Sequence, residues 1–68
     1  MSESANTGAV VSFDREVGLG EIDAAGIRYP FHCIEIADGS RDIEVGASVR
    51  FDLIAKLGRY EAAHIAPA

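Results

Sequence analysis

The sequence predicts an all-β fold, a small five-stranded antiparallel Greek-key β-barrel. Three observations carry this expectation. Val49, Phe51 and Leu53 alternate with Ser48, Arg50 and Asp52, the period of two that marks a half-buried strand. Turn-forming residues punctuate the chain at short intervals, at Ala24-Ala25-Gly26, Asp38-Gly39-Ser40 and Leu57-Gly58-Arg59. No stretch shows a sustained helical stripe with caps. Several short strands in a chain of 68 residues are best served by closing the sheet on itself, which removes exposed edges.

Each element follows in order. Residues 1–7 read as a flexible polar tail, and residues 8–68 as a single domain. Ala9 to Asp14, rich in Val and Phe, reads as the first strand. Gly18 and Gly20 flank Leu19 and mark a bend or a close backbone approach before Glu21-Ile22-Asp23, the second strand. Ala24-Ala25-Gly26 turns the chain into Ile27 to Ile36. Pro30 has no amide hydrogen, so this third strand belongs at an edge or is irregular there. A polar turn region runs from Ala37 to Val45, and Gly46 precedes the alternating fourth strand. The last strand spans Tyr60 to Ile65, ahead of Pro67. Val10, Ile22, Phe31, Val49, Phe51, Leu53 and Ile65 are the expected core.

Composition narrows the function. Eleven Asp and Glu against six Lys and Arg leave a net charge of −5. A polyanion is repelled by such a chain at long range, and phosphate affinity ordinarily comes from cations. The six, Arg15, Arg28, Arg41, Arg50, Lys56 and Arg59, are scattered, so any basic patch must be assembled by folding. No run approaches the ~20 apolar residues that cross a bilayer, and the acidic Met1-to-Asn6 segment is unlike a secretory leader. The single cysteine, Cys33, allows no internal disulfide and suits a reducing cytoplasm. One Cys with two distant His falls short of a metal-ligand set, and no nucleophile–base pair is present. Gly18 and Gly20 lack the Gly-Lys-Ser/Thr and helix of a phosphate loop. No catalytic residue, metal or cofactor is expected.

A resemblance gathers these pieces. Gly8-Ala9-Val10-Val11-Ser12-Phe13-Asp14 is similar to the Gly-x-Val-x-Trp-Phe-(Asn/Asp) of a first strand. Val17-Gly18-Leu19-Gly20-Glu21-Ile22 is similar to Lys-Gly-Phe-Gly-Phe-Ile. Tyr29-Pro30-Phe31-His32-Cys33 stands where Val-Phe-Val-His-Phe would stand. Ile43 to Phe51 follows Leu-x-x-Gly-x-x-Val-x-Phe, and Ala62-Ala63-His64-Ile65 follows Ala-Ala-Asn-Val. Over residues 8–66 the chain resembles the bacterial cold-shock domain, an OB-fold barrel.

The resemblance implies a non-catalytic module that binds single-stranded RNA or DNA by stacking bases on exposed rings. Here the rings are replaced: Trp by Ser12, two Phe by Leu19 and Glu21, two more by Pro30 and Cys33, and the motif lysine by Val17. His32 is retained. Phe13 matches too, and fits the barrel interior as well as the ligand. Each base–ring stack is worth ~1–3 kcal/mol. Losing five costs about 5 kcal/mol or more, a few thousand-fold in affinity. The expected nucleic-acid set is therefore Phe13, Leu19, Tyr29 and His32 with Arg15, Arg28 and Arg59, and binding is weak or needs a partner. Tyr29 and Tyr60 are candidate replacement rings. The competing expectation is a protein-interaction or homodimer surface made by Val11, Val17, Leu19, Pro30 and Cys33, where small or apolar residues replace cationic or aromatic ones.

Overall fold

In a computed structural model, residues 6–40 and 42–68 are described. They form one five-stranded antiparallel sheet: β1 (Asn6–Asp14), β2 (Leu19–Ala24), β3 (Ile27–His32), β4 (Ser48–Lys56) and β5 (Arg59–Pro67). The only helical element among the described residues is a 3₁₀ turn, Cys33–Glu35. Of the expected tail, residues 1–5 lie outside the described residues, as does Arg41. Asn6 and Thr7 belong to β1 and pair with Phe51 and Arg50.

The strand order is β3-β2-β1-β4-β5. Three consecutive strands form a meander and the fourth returns to lie beside the first, which is the Greek-key arrangement. The sheet is open. β3 and β5 are its edges and pack against one another, but no ladder joins them. The chain crosses the gap through a parallel bridge, Ile36 to Ile65, with the Ala37 amide donating to the Ile65 carbonyl at 2.7 Å.

Pro30 sits where its missing amide hydrogen costs nothing. The Ala25–Gly26 turn makes Ala24–Ile27 the closing pair, so alternate pairs along β2 and β3 leave Arg28, Pro30 and His32 with their backbone polar groups directed away from β2. β3 ends at His32, four residues short of the expected Ile36. The ring Nδ1 of His32 accepts the Ile34 amide at 3.3 Å and so caps the 3₁₀ turn that replaces the rest of the strand.

The core is made by one face of the sheet. Val10, Ile22, Phe31, Val49, Phe51 and Ile65 are buried as expected, joined by Ile36, Ala62 and Ala63. Leu53 is half-buried instead. The β4–β5 register shifts between Arg50 and Asp52 with the extra residue on β5, so Leu53 keeps the core-facing parity of Val49 and Phe51 and packs against the core without being enclosed by it. His64, at φ 53, is the left-handed residue of that irregularity. A second shift, in β1 between Val10 and Ser12, leaves Val11 unpaired with β2.

Glycine is required at Gly20. A Cβ there would stand 2.5 Å from the Phe31 ring and 2.6 Å from the Ser12 carbonyl oxygen. Its absence lets Phe31 lie across β2 and close the core. Gly18 has φ 81, and its backbone ties the β1–β2 turn to the 3₁₀ turn. Its amide donates to Asp14 and its carbonyl accepts from Cys33, both at 2.7 Å.

Candidate ligand groove

The other face of β1, β2 and β3 is built in rows. Ser12, Glu21 and Pro30 are paired across the three strands, Leu19 faces His32, and Asp23 faces Arg28. The same period of two that buries Ile22 and Phe31 and turns Tyr29 toward the core turns these residues outward. The β4–β5 hairpin brings Lys56, Arg59 and Glu61 alongside, and the 3₁₀ turn adds Ile34. Together they border a groove of about 630 Å³ that reaches down to Phe31. Its apolar lining comes from Leu19, Pro30, Ile34 and Phe31, and its charged lining from Glu21, Glu61, Lys56 and Arg59.

The groove holds a different set of residues from the one expected. Leu19, His32 and Arg59 of the nucleic-acid set line it. Phe13 and Tyr29 do not. Phe13 stacks on Phe31 from within, with centroids 5.9 Å apart and planes 3° apart. Tyr29 tilts against Phe51 at 5.8 Å. Both rings pack on the core, because Phe13 pairs with Gly20 and Tyr29 with Ile22 on the inner face. Tyr60 is exposed but lies outside the groove lining. Arg15 is held by Asp42 at 2.8 Å, and Arg28 reaches Asp23 at 3.4 Å and Glu21 at 3.5 Å. Neither lines the groove.

The expected apolar surface is also redrawn. Only Leu19 and Pro30 of its five residues line the groove. Val11 is half-buried in the β1 irregularity. Val17 is exposed in the β1–β2 turn, whose shape is set by Asp14 Oδ1 accepting from the Glu16 and Val17 amides. Cys33 packs against the core and against Gly18, so its thiol is half-buried. The apolar floor comes instead from Ile34, which sequence patterning missed because it follows the capped end of β3 rather than the strand alternation. Lys56 and Glu61 were missed for another reason: only the curl of the β4–β5 hairpin over the sheet brings them to this face.

The electrostatics are mixed. Lys56 and Arg59 flank Glu61 at 3.8 and 3.7 Å, distances at the loose end of ion pairing. Glu21 carries a paired negative charge into the middle of the groove. His32 Nδ1 is occupied as an acceptor, so the neutral ring carries its proton on Nε2. Among the described residues no three His, Cys, Asp or Glu side chains group as a metal site would. The arrangement can hold an apolar group against Leu19, Pro30 and Ile34 and a charged one of either sign beside it.

Fold and face together define a small all-β domain with an open sheet and a groove across its outer side. No protein-family model matches the chain, and no curated protein matches it.

Proposed function

We propose that the chain is a cold-shock-like module, a partly open OB-type barrel in the cytoplasm, that binds single-stranded nucleic acid weakly or together with a partner and catalyses no reaction. One observation carries this reading. The groove runs over Ser12, Leu19, Glu21, Pro30 and His32, the positions at which the resemblance lays a strand, and Lys56 and Arg59 border it. The weakness follows from the same face. Of the rings such a strand would stack on, His32 alone remains in the lining. Lys56 and Arg59 are already drawn to Glu61, and Glu21 repels phosphate.

A labelled single-stranded oligonucleotide titrated at about 50 and about 200 mM salt tests the reading. Binding detectable at the lower salt and lost at the higher supports it. No binding at either salt overturns it, and nanomolar affinity at the higher salt overturns the weak form.

A second reading takes the groove as a protein-binding surface. It is favoured by the apolar floor of Leu19, Pro30 and Ile34, which offers a partner side chain more than it offers a phosphate.

A further inference from the structure

The tip of the β4–β5 hairpin joins two features that do not help the isolated chain. Leu57 is as exposed as a side chain can be, at 105% of its reference surface, whereas the other exposed large apolar residues retain 50–62%. It also has φ 48, followed by Gly58 at φ 84. This is the two-residue hairpin turn whose first position favours Asn, Asp or Gly, because a larger side chain crowds the backbone there. The β2–β3 tip has the same geometry, with Ala25 at φ 55 and Gly26 at φ 85, and places only a methyl group in solvent. A leucine at the β4–β5 tip is unfavourable for the backbone and for solvation together. Strain kept at an exposed apolar residue points to a use outside the monomer.

The flanks say what such a tip would meet. Lys56 and Arg59 stand on either side of Leu57–Gly58, with 51% and 70% of their side-chain surface exposed, and both are held only loosely by Glu61. The tip is therefore an apolar knob between two cations. Its complement is an apolar hollow beside carboxylates. The groove of this chain offers Leu19, Pro30 and Ile34 as floor and two carboxylates, Glu21, held loosely by Arg28 at 3.5 Å, and Glu61, which a partner's cations would share with the groove's own. Knob and hollow also adjoin one another, because Lys56 and Arg59 line the same groove. Two complementary features side by side on one molecule are satisfied twice by a two-fold axis.

We propose that two copies of this chain associate by seating Leu57 of each in the groove of the other, with Lys56 and Arg59 of each copy facing Glu21 of its partner. The proposal rests on the reading of the groove as a protein-binding surface and names its occupant. Self-association in this form covers the groove, so a bound nucleic-acid strand and a second copy exclude one another.

Sedimentation velocity on the full chain, from about 1 μM to about 1 mM, reads the equilibrium directly. Wild type is expected to pass from monomer to dimer across that range. Leu57→Asp and Leu19→Lys are each expected to weaken association by at least about a hundredfold, since each removes the contact from both halves of the dimer. Both positions are exposed, and unchanged circular dichroism and thermal midpoints at low concentration would show that the fold is kept. An equimolar mixture of the two variants restores one tip and one intact groove, and should form a heterodimer where neither variant alone forms a dimer. A monomeric wild type throughout, a Leu57→Asp chain that dimerises as wild type does, or a Leu19→Lys chain that still dimerises would each overturn the proposal. The oligonucleotide titration reports separately on nucleic acid, so either reading can fail without the other.

Discussion

Phe13 and Phe31 lie with ring planes 3° apart, one on β1 and one on β3, bridging the space above Gly20 of β2. The pair makes Phe13 a structural ring. Phe13→Ala should lower stability by about 2–3 kcal/mol, less than the ~3–5 kcal/mol of truncating a fully buried ring, because Phe13 is half-buried. Urea unfolding measures this. Below the unfolding transition, oligonucleotide affinity should change by no more than about twofold, or about 0.4 kcal/mol. A large loss of affinity in a fully folded variant would place the ring in the ligand site instead.

Leu19 and Glu21 face the groove on adjacent rows, so rings at both positions would rebuild part of a stacking surface. Leu19→Phe with Glu21→Phe should strengthen single-strand binding at least about tenfold. Each stack contributes ~1–3 kcal/mol, and the second change also removes a carboxylate from the path of the phosphates. Fluorescence anisotropy at low salt is the measurement. No gain would mean that a strand does not cross β2 at these positions.

Gly20→Ala should be among the most damaging single changes in the chain. The added methyl meets a buried ring edge and a backbone carbonyl, and the carbonyl cannot rotate away. Overpacking of this kind costs ~1–3 kcal/mol and sometimes more. Gly39→Ala, where a Cβ would meet nothing within 4 Å but φ is 76, serves as the control for backbone strain alone. Comparing the two thermal midpoints separates steric from conformational cost.

Asp38 should titrate below the ordinary aspartate range. Its carboxylate accepts the Ser40 amide at 2.8 Å, the larger cause, and the Ser40 side chain adds to it. Because the folded-state value is lowered, the contribution to stability is present above the unfolded-state value and disappears as pH falls through the folded one. Carbon-13 NMR titration of the carboxyl group checks the direction. Asp38→Asn should flatten the acid limb of the stability curve by lowering stability slightly at neutral pH while leaving it unchanged below the folded-state value.

Strand existence was legible in the residues, and strand faces were legible wherever the alternation ran unbroken. Val49 and Phe51 are buried because nothing interrupts the period between them. Leu53 has the same parity but is only half-buried, because how far the core extends along a strand has no mark in the alternation. Tyr29, a candidate replacement ring on its chemistry, packs on Phe51, since its face follows from pairing with Ile22. Half of the groove was readable in the same sense. Leu19, Pro30 and His32 are strand positions fixed by local parity. Lys56, Glu61 and Ile34 arrive by tertiary curl and by a capped turn, and neither leaves a periodic trace.

The position of β1 in the middle of the sheet governs when the molecule can finish folding. One side of β1 meets β2 after a short turn, but the other meets β4 only after about forty more residues, with Gly8 opposite Val49. Loop-closure entropy delays such non-local pairing. During synthesis the β1–β2–β3 meander can assemble early, with one flank of β1 unpaired until the C-terminal half emerges. For that interval the nascent chain presents an open pairing template along Asn6 to Ala9. The proline that blunts β3 gives no protection there, so aggregation at high expression should begin from β1, and slower translation through residues 33–47 should lengthen the exposure.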